Sequence, residues 1–174
     1  MSAKLPLILI VDDNPENLSV VGELLKPLCD VRVANSGPRA LQLTRSDPAP
    51  QLILLDVMMP GMDGFEVLAH LRADPTTRDI AVIFLSALSS EHDEARALAA
   101  GAVDYLSKPI RPAALLARIK TQIDAQTTRR QARETVAELR AQVQHLHGLL
   151  RVHEGSAPVS KTPDWLARQG GGPL

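Results

Sequence analysis

The segment Gln51–Gly64 reads QLILLDVMMPGMDG and decides the fold. Four apolar residues, Leu52 to Leu55, lead directly into one carboxylate, Asp56, and then into a loop with proline and glycine. A continuous apolar run of this length between turn residues predicts a strand buried on both faces, as in a parallel sheet covered by helices. Because a carboxylate is costly to bury, we expect Asp56 at the open end of the sheet and treat it as the chemical centre of the protein.

The composition limits the class of protein. A length of 174 residues allows one ordinary domain plus an appendage. Apolar residues make up 45% and aromatic residues 2% of the chain, so the core must be aliphatic, and a net charge of −1 provides no basic field for nucleic acid or an anionic membrane. The single cysteine, Cys29, excludes an internal disulfide and fits a reducing compartment. No apolar run approaches the roughly 20 residues of a membrane span, and the N-terminus lacks signal-peptide features, so we expect a cytoplasmic protein.

Strand and helix patterns alternate five times along the chain. The predicted strands are Leu5–Val11, Asp30–Ala34, Leu52–Leu55, Ile80–Leu85 and Val103–Leu106, and a helical pattern follows each one. This alternation predicts an α/β fold: a doubly wound five-stranded parallel sheet, order 2-1-3-4-5 and flavodoxin-like, with a C-terminal helical extension. Ligands bind beyond the carboxyl ends of such strands, where this chain has polar residues: Asp12, Asp13, Asp56, Ser86 and Lys108.

These strand-end residues suggest phosphate chemistry. Three carboxylates at one edge repel one another and require a cation, and hard oxygen ligands without histidine or cysteine suit Mg²⁺. A carboxylate beside Mg²⁺ can act as a nucleophile toward phosphorus, while the Lys108 ammonium and the Ser86 hydroxyl can donate to the phosphoryl oxygens. No general base or hydrolytic histidine follows any predicted strand. We therefore expect phosphate acceptance rather than turnover of a metabolite, and thus no enzyme in the ordinary sense.

Four motifs together carry a family resemblance. VDDN at strand 1, LLDVMMPGMDG at strand 3, LSA at strand 4 and YLSKP at strand 5 resemble the receiver domain of two-component response regulators, the CheY-like superfamily. Taken singly, each motif could be an ordinary helix cap or turn, but all four lie in order and at the expected spacing from Leu5 to about Gln126. The resemblance implies that Asp56 accepts a phosphoryl group from a sensor histidine kinase or a histidine phosphotransfer protein.

The resemblance also assigns a metal site. Asp13 and Asp56, with the backbone carbonyl of Met58, are expected to hold Mg²⁺. Asp12 is expected to act mainly through a water molecule. Since neither Met58 nor Leu88, two positions beyond Asp56 and Ser86, can orient a water molecule, we predict slow self-dephosphorylation, on a scale of minutes or longer.

The phosphoryl-binding and switch residues follow from the same resemblance. Ser86 and Lys108 are expected to bind phosphoryl oxygens, and the peptide bond before Pro109 is expected to be cis. Tyr105 occupies the family's switch position, where the ring turns inward as Ser86 moves toward the phosphate. For Asp104 and Arg118, two alternatives remain: a bridge between neighbouring subunits, as in some family members, or, as we expect, solvated positions.

The domain organisation changes after the fifth strand–helix unit. We predict a receiver domain over residues 1–126, a C-terminal helix over 127–153 and a flexible tail over 154–174. Within the helix an apolar seam has the 3-4 spacing of a parallel two-stranded coiled coil, formed by Val136, Leu139, Val143, Leu146 and Leu150. A homodimer through this helix is therefore expected, and the alternative is a helix that packs back on its own receiver. In the tail, the segment around Trp165 predicts a short helix or a partner-docking motif.

Three hypotheses for the output remain open. The first is protein–protein contact or a dimer rearrangement through the C-terminal helix, without direct DNA binding, because nothing after residue 126 is long enough for a winged helix. The second is a phosphorelay shuttle or sink in which dimerisation is incidental. The third is the regulatory head of an enzyme whose output domain is absent from this sequence.

Overall fold

The computed structural model describes residues 5–87 and 90–154, with side chains up to residue 149. The chain divides into two compact units, Met1–Thr128 and Arg129–Leu174. The strands are β1 Leu7–Val11, β2 Asp30–Ala34, β3 Leu52–Asp56, β4 Ala81–Ser86 and β5 Asp104–Ser107. The helices are α1 Pro15–Leu25, α2 Gly37–Thr44, α3 Gly64–Ala73, α4 Glu91–Ala99 and α5 Pro112–Glu154.

The five strands form one parallel sheet in the order β2-β1-β3-β4-β5. This confirms the predicted doubly wound α/β fold and its flavodoxin-like strand order. In the register, Val11 pairs with Leu55 and Asp56 pairs with Leu85, so the carboxyl ends of β1, β3 and β4 lie at one edge. Every residue of these three strands is buried, which explains their continuous apolar sequences.

Side chains alternate between the two faces of the sheet, and each face has its own core. One core combines sheet residues such as Leu9, Ile53 and Phe84 with residues of α2, α3 and α4. The other combines Ile8, Leu54 and Ile83 with residues of α1 and α5. The helix residues that complete the two cores include Ala40, Val67, Leu68, Leu71 and Ala97 for the first, and Val21, Leu25, Leu115 and Ile119 for the second. Both cores are almost wholly aliphatic, as the composition predicts.

The helix starts have the expected chemistry. The Asn14 side chain accepts a hydrogen bond from the Glu16 N–H at 2.9 Å, and Pro15 occupies the first helical position of α1. Ser90 caps α4 in the same way. After α4, Gly101 adopts a φ of 101°, a left-handed conformation that suits glycine and ends the helix. Sequence signals thus fix where α1 begins and where α4 begins and ends.

A half-buried arginine connects the end of α3 to the two loops beside it. The Arg72 guanidinium donates to the carbonyls of Gly101 at 2.8 Å, Arg78 at 2.9 Å and Ile80 at 3.1 Å. Burial, partly offset by Asp79, lowers the pKa of Arg72. Planar guanidinium geometry allows one side chain to satisfy three main-chain acceptors, which a lysine cannot do in the same arrangement.

Some expectations from the sequence require correction. The first strand begins at Leu7 rather than Leu5, because Pro6 has no N–H to donate to a sheet ladder. Asp104, expected at a solvated position, is only 9% exposed. It accepts a hydrogen bond from Arg118 at 3.1 Å and from the Tyr105 N–H at 2.8 Å. This pairing within the chain compensates the burial of the Asp104 carboxylate.

In the second unit the predicted helix continues to Glu154. Four residues of the apolar seam are about half exposed: Val136, Leu139, Val143 and Leu146, at 47–57%. Leu150 lies beyond the described side chains, and the predicted tail motif around Trp165 lies outside the described residues. Across residues 5–87 and 90–154, none of the helices combines the length and apolar character that crossing a membrane requires.

Candidate functional site

The loop after β1 places two neighbouring carboxylates in different environments. Asp12 is 2% exposed, whereas Asp13 is exposed to solvent. Asp12 Oδ1 accepts the Asn14 N–H at 2.8 Å, and the Asn17 amide donates to Oδ1 at 3.1 Å and to Oδ2 at 2.9 Å. Asp12 is therefore a fixed, fully hydrogen-bonded charge, and Asp13 is an accessible one.

Asp56 is the last residue of β3 and is 4% exposed. Lys108 joins it to Asp12: the Lys108 Nζ lies 2.9 Å from Asp56 Oδ1 and 2.8 Å from Asp12 Oδ2. Both carboxylates end up beside the same ammonium because β1 and β3 are adjacent strands. Lys108 follows β5 directly, and its N–H donates to the Ser86 carbonyl at 2.7 Å.

The electrostatics of the site favour an added cation. Burial, the largest cause, raises the pKa of Asp56; contact with Lys108 opposes this, and the charges of Asp12 and Asp13 add to it. Burial alone would lower the pKa of Lys108, but its hydrogen bonds and charge interactions with Asp12 and Asp56 prevail and raise that pKa. The site thus holds three carboxylates and one ammonium, which contacts two of them, and it retains a negative charge that a divalent cation can offset.

The three carboxylates fit a magnesium ion. One oxygen from each of Asp12, Asp13 and Asp56 lies within 4.8 Å of the others. The donor set consists of hard carboxylate oxygens, which Mg²⁺ prefers, and the exposure of Asp13 leaves room for the waters that Mg²⁺ retains. The residues present therefore match the chemistry of this ion.

A glycine allows α3 to begin close to the end of β3. A Cβ atom at Gly64 would lie 2.4 Å from the carbonyl oxygen of Asp56 and 2.9 Å from the Cα of Val57. The Gly64 N–H instead donates to the Val57 carbonyl at 2.9 Å. The loop carrying Met58 is thus closed by main-chain contacts, and the Met58 side chain is 62% exposed.

The remaining predicted site residues lie on β4, on β5 and in the loop after β5. Ser86 is fully buried at the end of β4. Tyr105 is 8% exposed on β5, where its Cα pairs with that of Phe84, and it belongs to one of the two cores. The Lys108–Pro109 peptide bond is cis. The Asp47–Pro48 bond is also cis, and the sequence did not suggest this second one. Leu88 lies outside the described residues.

Asn17 is a site residue that sequence reasoning missed. It lies in the first turn of α1, five residues after Asp12, and donates to both oxygens of that carboxylate. The signal available was a polar residue near the start of a helix that follows a strand-end carboxylate. An asparagine in such a position is also an ordinary surface residue, so only the geometry identifies it.

Comparison with known proteins agrees with this geometry. A family model described as the response regulator receiver domain matches residues 8–120. The chain belongs to the response regulator receiver family. Members of this family generally depend on Mg²⁺ and interact with histidine kinases or phosphotransfer proteins.

Individual relatives support the same assignment. The response regulator PleD of Caulobacter vibrioides is 44% identical over 122 residues, which are 70% of this chain and 26% of PleD. The DNA-binding dual master transcriptional regulator RpaA of Synechocystis is 39% identical over 117 residues, 67% of this chain and 48% of RpaA. The structure of a Francisella response regulator receiver domain matches with a TM-score of 0.64 and 30% identity, covering 70% of this chain and 98% of that one. The chain thus spans between a quarter and a half of these two curated relatives.

Proposed function

We propose that the protein is a response regulator in which Asp56 accepts a phosphoryl group from a phosphohistidine of a sensor histidine kinase or phosphotransfer protein. The observation that carries this proposal is the Lys108 ammonium, 2.9 Å from Asp56 and 2.8 Å from Asp12, beside a third carboxylate, Asp13. In the transfer, an Asp56 oxygen bonds to phosphorus and the phosphorus–nitrogen bond of the donor breaks. The imidazole leaves with that electron pair and takes up a proton.

In this proposal the acidic residues divide the work of holding Mg²⁺. Asp13, Asp56 and the backbone carbonyl of Met58 are the direct ligands, and Asp12, whose oxygens already accept several hydrogen bonds, acts through water. Bound Mg²⁺ supplies positive charge that offsets the carboxylates and the incoming phosphoryl oxygens. Lys108 would bind a phosphoryl oxygen, since its ammonium already contacts Asp56.

The proposed switch consists of Ser86 and Tyr105. Ser86 ends β4 beside the strand that carries Asp56, and its carbonyl accepts the Lys108 N–H. In this proposal the Ser86 hydroxyl binds an oxygen of the phosphoryl group on Asp56. Tyr105 precedes Lys108 by three residues on β5 and turns further inward when Ser86 moves. The protein then catalyses only its own phosphorylation and dephosphorylation. Its proposed location is the cytoplasm, for which the single, buried Cys29 is suited.

Phosphorylation by a small donor tests the assignment of Asp56. The full chain is incubated with acetyl phosphate and MgCl₂, and phosphate incorporation is measured by intact mass and by phosphate-affinity electrophoresis. We expect one phosphoryl group on the wild type and on Asp124→Asn, which removes an exposed carboxylate paired with Lys120 outside the site. We expect none on Asp56→Asn or without Mg²⁺. Equal labelling of Asp56→Asn would contradict the proposal.

The proposed output is a contact between two copies of the chain through the C-terminal helix. The exposed seam residues Val136 and Leu139 lie at the spacing that a parallel coiled coil requires. Light scattering with and without Mg²⁺ and beryllofluoride, which stands in for the phosphoryl group, measures the molar mass. A mass that doubles on treatment in the wild type, and in neither Asp56→Asn nor Leu139→Glu, identifies phosphorylation-dependent dimerisation. Ala137→Glu, which adds the same charge off the seam, is the matched control.

Other molar masses distinguish the alternatives. A dimer in every wild-type sample means that the coiled coil is constitutive and that the signal is a rearrangement of the dimer. A monomer in every sample contradicts the coiled coil and favours a phosphorelay shuttle or sink. In that case, rapid reversible exchange of phosphate with a histidine phosphotransfer protein is expected.

The lengths of the relatives favour a second candidate function. Because the matched region is only 26% of PleD and 48% of RpaA, receivers similar to this one occur within longer proteins. Within a longer protein, this receiver domain would act as the regulatory head of an enzyme. An antibody against residues 1–126, applied to cells that express the natural gene, distinguishes the stand-alone protein from the regulatory head. A product at the mass of the 174-residue chain supports the stand-alone protein. A larger product supports the regulatory head. We propose no direct DNA contact, since the net charge of −1 provides no basic surface field.

A further inference from the structure

The Asn17 side chain makes contacts that an ordinary surface asparagine does not. We propose that Asn17 is a positioning residue of the phosphoacceptor site: its amide holds the Asp12 carboxylate in one orientation and thereby sets the affinity of the site for Mg²⁺. This inference rests on the proposed function, in which the carboxylates bind Mg²⁺ before Asp56 accepts a phosphoryl group.

The geometry fixes rotation as well as position. The Asn17 Nδ2 lies 2.9 Å from Asp12 Oδ2 and 3.1 Å from Oδ1, so one amide restrains both oxygens. It thereby adds a second donor on each oxygen to the Asn14 N–H on Oδ1 and the Lys108 ammonium on Oδ2, which further restricts rotation about the Cβ–Cγ bond. Asn17 is itself held in the first turn of α1, which Pro15 and the Asn14 cap fix in place. The amide therefore belongs to a rigid element rather than to a loop.

The hydrogen bonds of Asp12 are complete with Asn17 in place. An ionised carboxylate offers about four lone-pair sites. Oδ1 accepts from the Asn14 N–H and from Asn17, and Oδ2 accepts from Asn17 and from the Lys108 ammonium. Asp12 cannot approach a cation directly without giving up one of these donors. It serves instead as an oriented charge, and direct contact with Mg²⁺ falls to Asp13 and Asp56.

The amide is also the appropriate donor chemically, because it carries no charge. Three carboxylates and one ammonium give the site a net negative charge that attracts a divalent cation. A lysine or arginine at position 17 could make similar hydrogen bonds but would cancel part of that charge. Asparagine orients Asp12 without weakening the attraction for Mg²⁺. Without the amide, Asp12 keeps one donor on each oxygen, the Asn14 N–H and the Lys108 ammonium, so part of its ordering falls to Mg²⁺ binding, at an entropic cost.

A titration of the unphosphorylated full chain with MgCl₂, followed by amide NMR shifts, tests the inference without any phosphoryl transfer. Asn17→Leu is similar in size but has no donor, and we expect its Kd for Mg²⁺ to rise about tenfold, the lower end of the loss expected for an outer partner of a metal site. Asn17→Gln retains the amide and is expected to recover part of this loss. Ser19→Gly weakens α1 at an exposed position and is expected to leave the Kd within about twofold of wild type. Melting temperatures without Mg²⁺ are recorded for every variant.

The outcomes separate this inference from the proposed function. A Kd for Asn17→Leu within about twofold of wild type, or a Kd lower than wild type, overturns the inference and leaves the function of Asp56 intact. An equal loss in Ser19→Gly also overturns it, since the effect would then come from the helix. If Asn17→Leu does not fold, Asn17→Ser decides, because its shorter side chain cannot span both oxygens and the same weakening is expected. A wild-type protein that binds no Mg²⁺ overturns the proposed function and the inference together.

Discussion

Replacing Gly64 by alanine directs a methyl group at the main chain of the phosphoacceptor strand. The new Cβ would lie 2.4 Å from the Asp56 carbonyl oxygen and 2.9 Å from the Val57 Cα. Neither atom belongs to a flexible side chain, so either the start of α3 or the end of β3 must move. Overpacking of this kind costs about 1–3 kcal/mol, and the better helix propensity of alanine returns at most about 1 kcal/mol. We expect a net loss of about 1–2 kcal/mol of stability, at the lower end of what overpacking costs.

Gly22→Ala is the matched control, because a Cβ at Gly22 meets nothing within 4 Å and the residue lies inside α1. It should gain about 0.5–1 kcal/mol, so the two glycine substitutions should change stability in opposite directions. Urea unfolding followed by far-ultraviolet circular dichroism gives both free energies. Phosphorylation of Gly64→Ala by acetyl phosphate should also be slower, since displacing the Asp56 main chain displaces its carboxylate. A Gly64→Ala protein as stable as wild type would refute the argument from close approach.

Three further predictions follow from other parts of the receiver. Arg72→Lys should lower the free energy of unfolding in urea by about 1–2 kcal/mol, because a single ammonium cannot reach all three carbonyls. The control Arg45→Lys, at an exposed ion pair, should lower it by less than about 0.5 kcal/mol. Equal losses in the two variants would contradict this prediction. The phosphorylated protein should lose its phosphate on the order of minutes or longer, because neither Met58 nor Leu88 can orient a water molecule; a half-life of seconds in a decay assay without kinase would refute the prediction. Without Mg²⁺, the folded protein should hold the Asp56 proton more tightly than the unfolded chain, since burial raises that pKa above 3.8. This group's contribution to stability is thus present at low pH and lost as the pH rises through the raised pKa, and Asp56→Asn should flatten that part of the stability–pH curve.

The order of elements was predictable because buried parallel strands carry an unambiguous signal. LILIV in β1, LILLD in β3 and AVIFLS in β4 are apolar up to the last residue of β3 and β4, since both faces of each strand contact a core. The residues at which strands begin and end were less predictable. β5 begins at Asp104 rather than at Val103, and nothing in that sequence distinguishes a strand residue from a loop residue whose N–H bonds a neighbouring strand.

The site residues that could be predicted from the sequence are those at or just after the carboxyl end of a strand. Asp12, Asp56 and Lys108 all meet at the sheet edge because parallel strands end on the same side, which requires only the strand order. Asn17 and the burial of Asp104 were missed for a common physical reason. Asn17 donates to the Asp12 side chain, and Asp104 accepts from the Arg118 side chain. Such side-chain pairs are set by the tertiary structure rather than by the local sequence pattern.

The placement of Tyr105 has an optical consequence. It is the only tyrosine of the chain, and the single tryptophan, Trp165, lies outside the described residues. In a Trp165→Phe background, ultraviolet emission therefore comes from one phenol ring, held at 8% exposure three residues before Lys108. Any change in the packing of that ring alters its quenching. The receiver thus contains its own label-free reporter, at the position where the proposed switch would act.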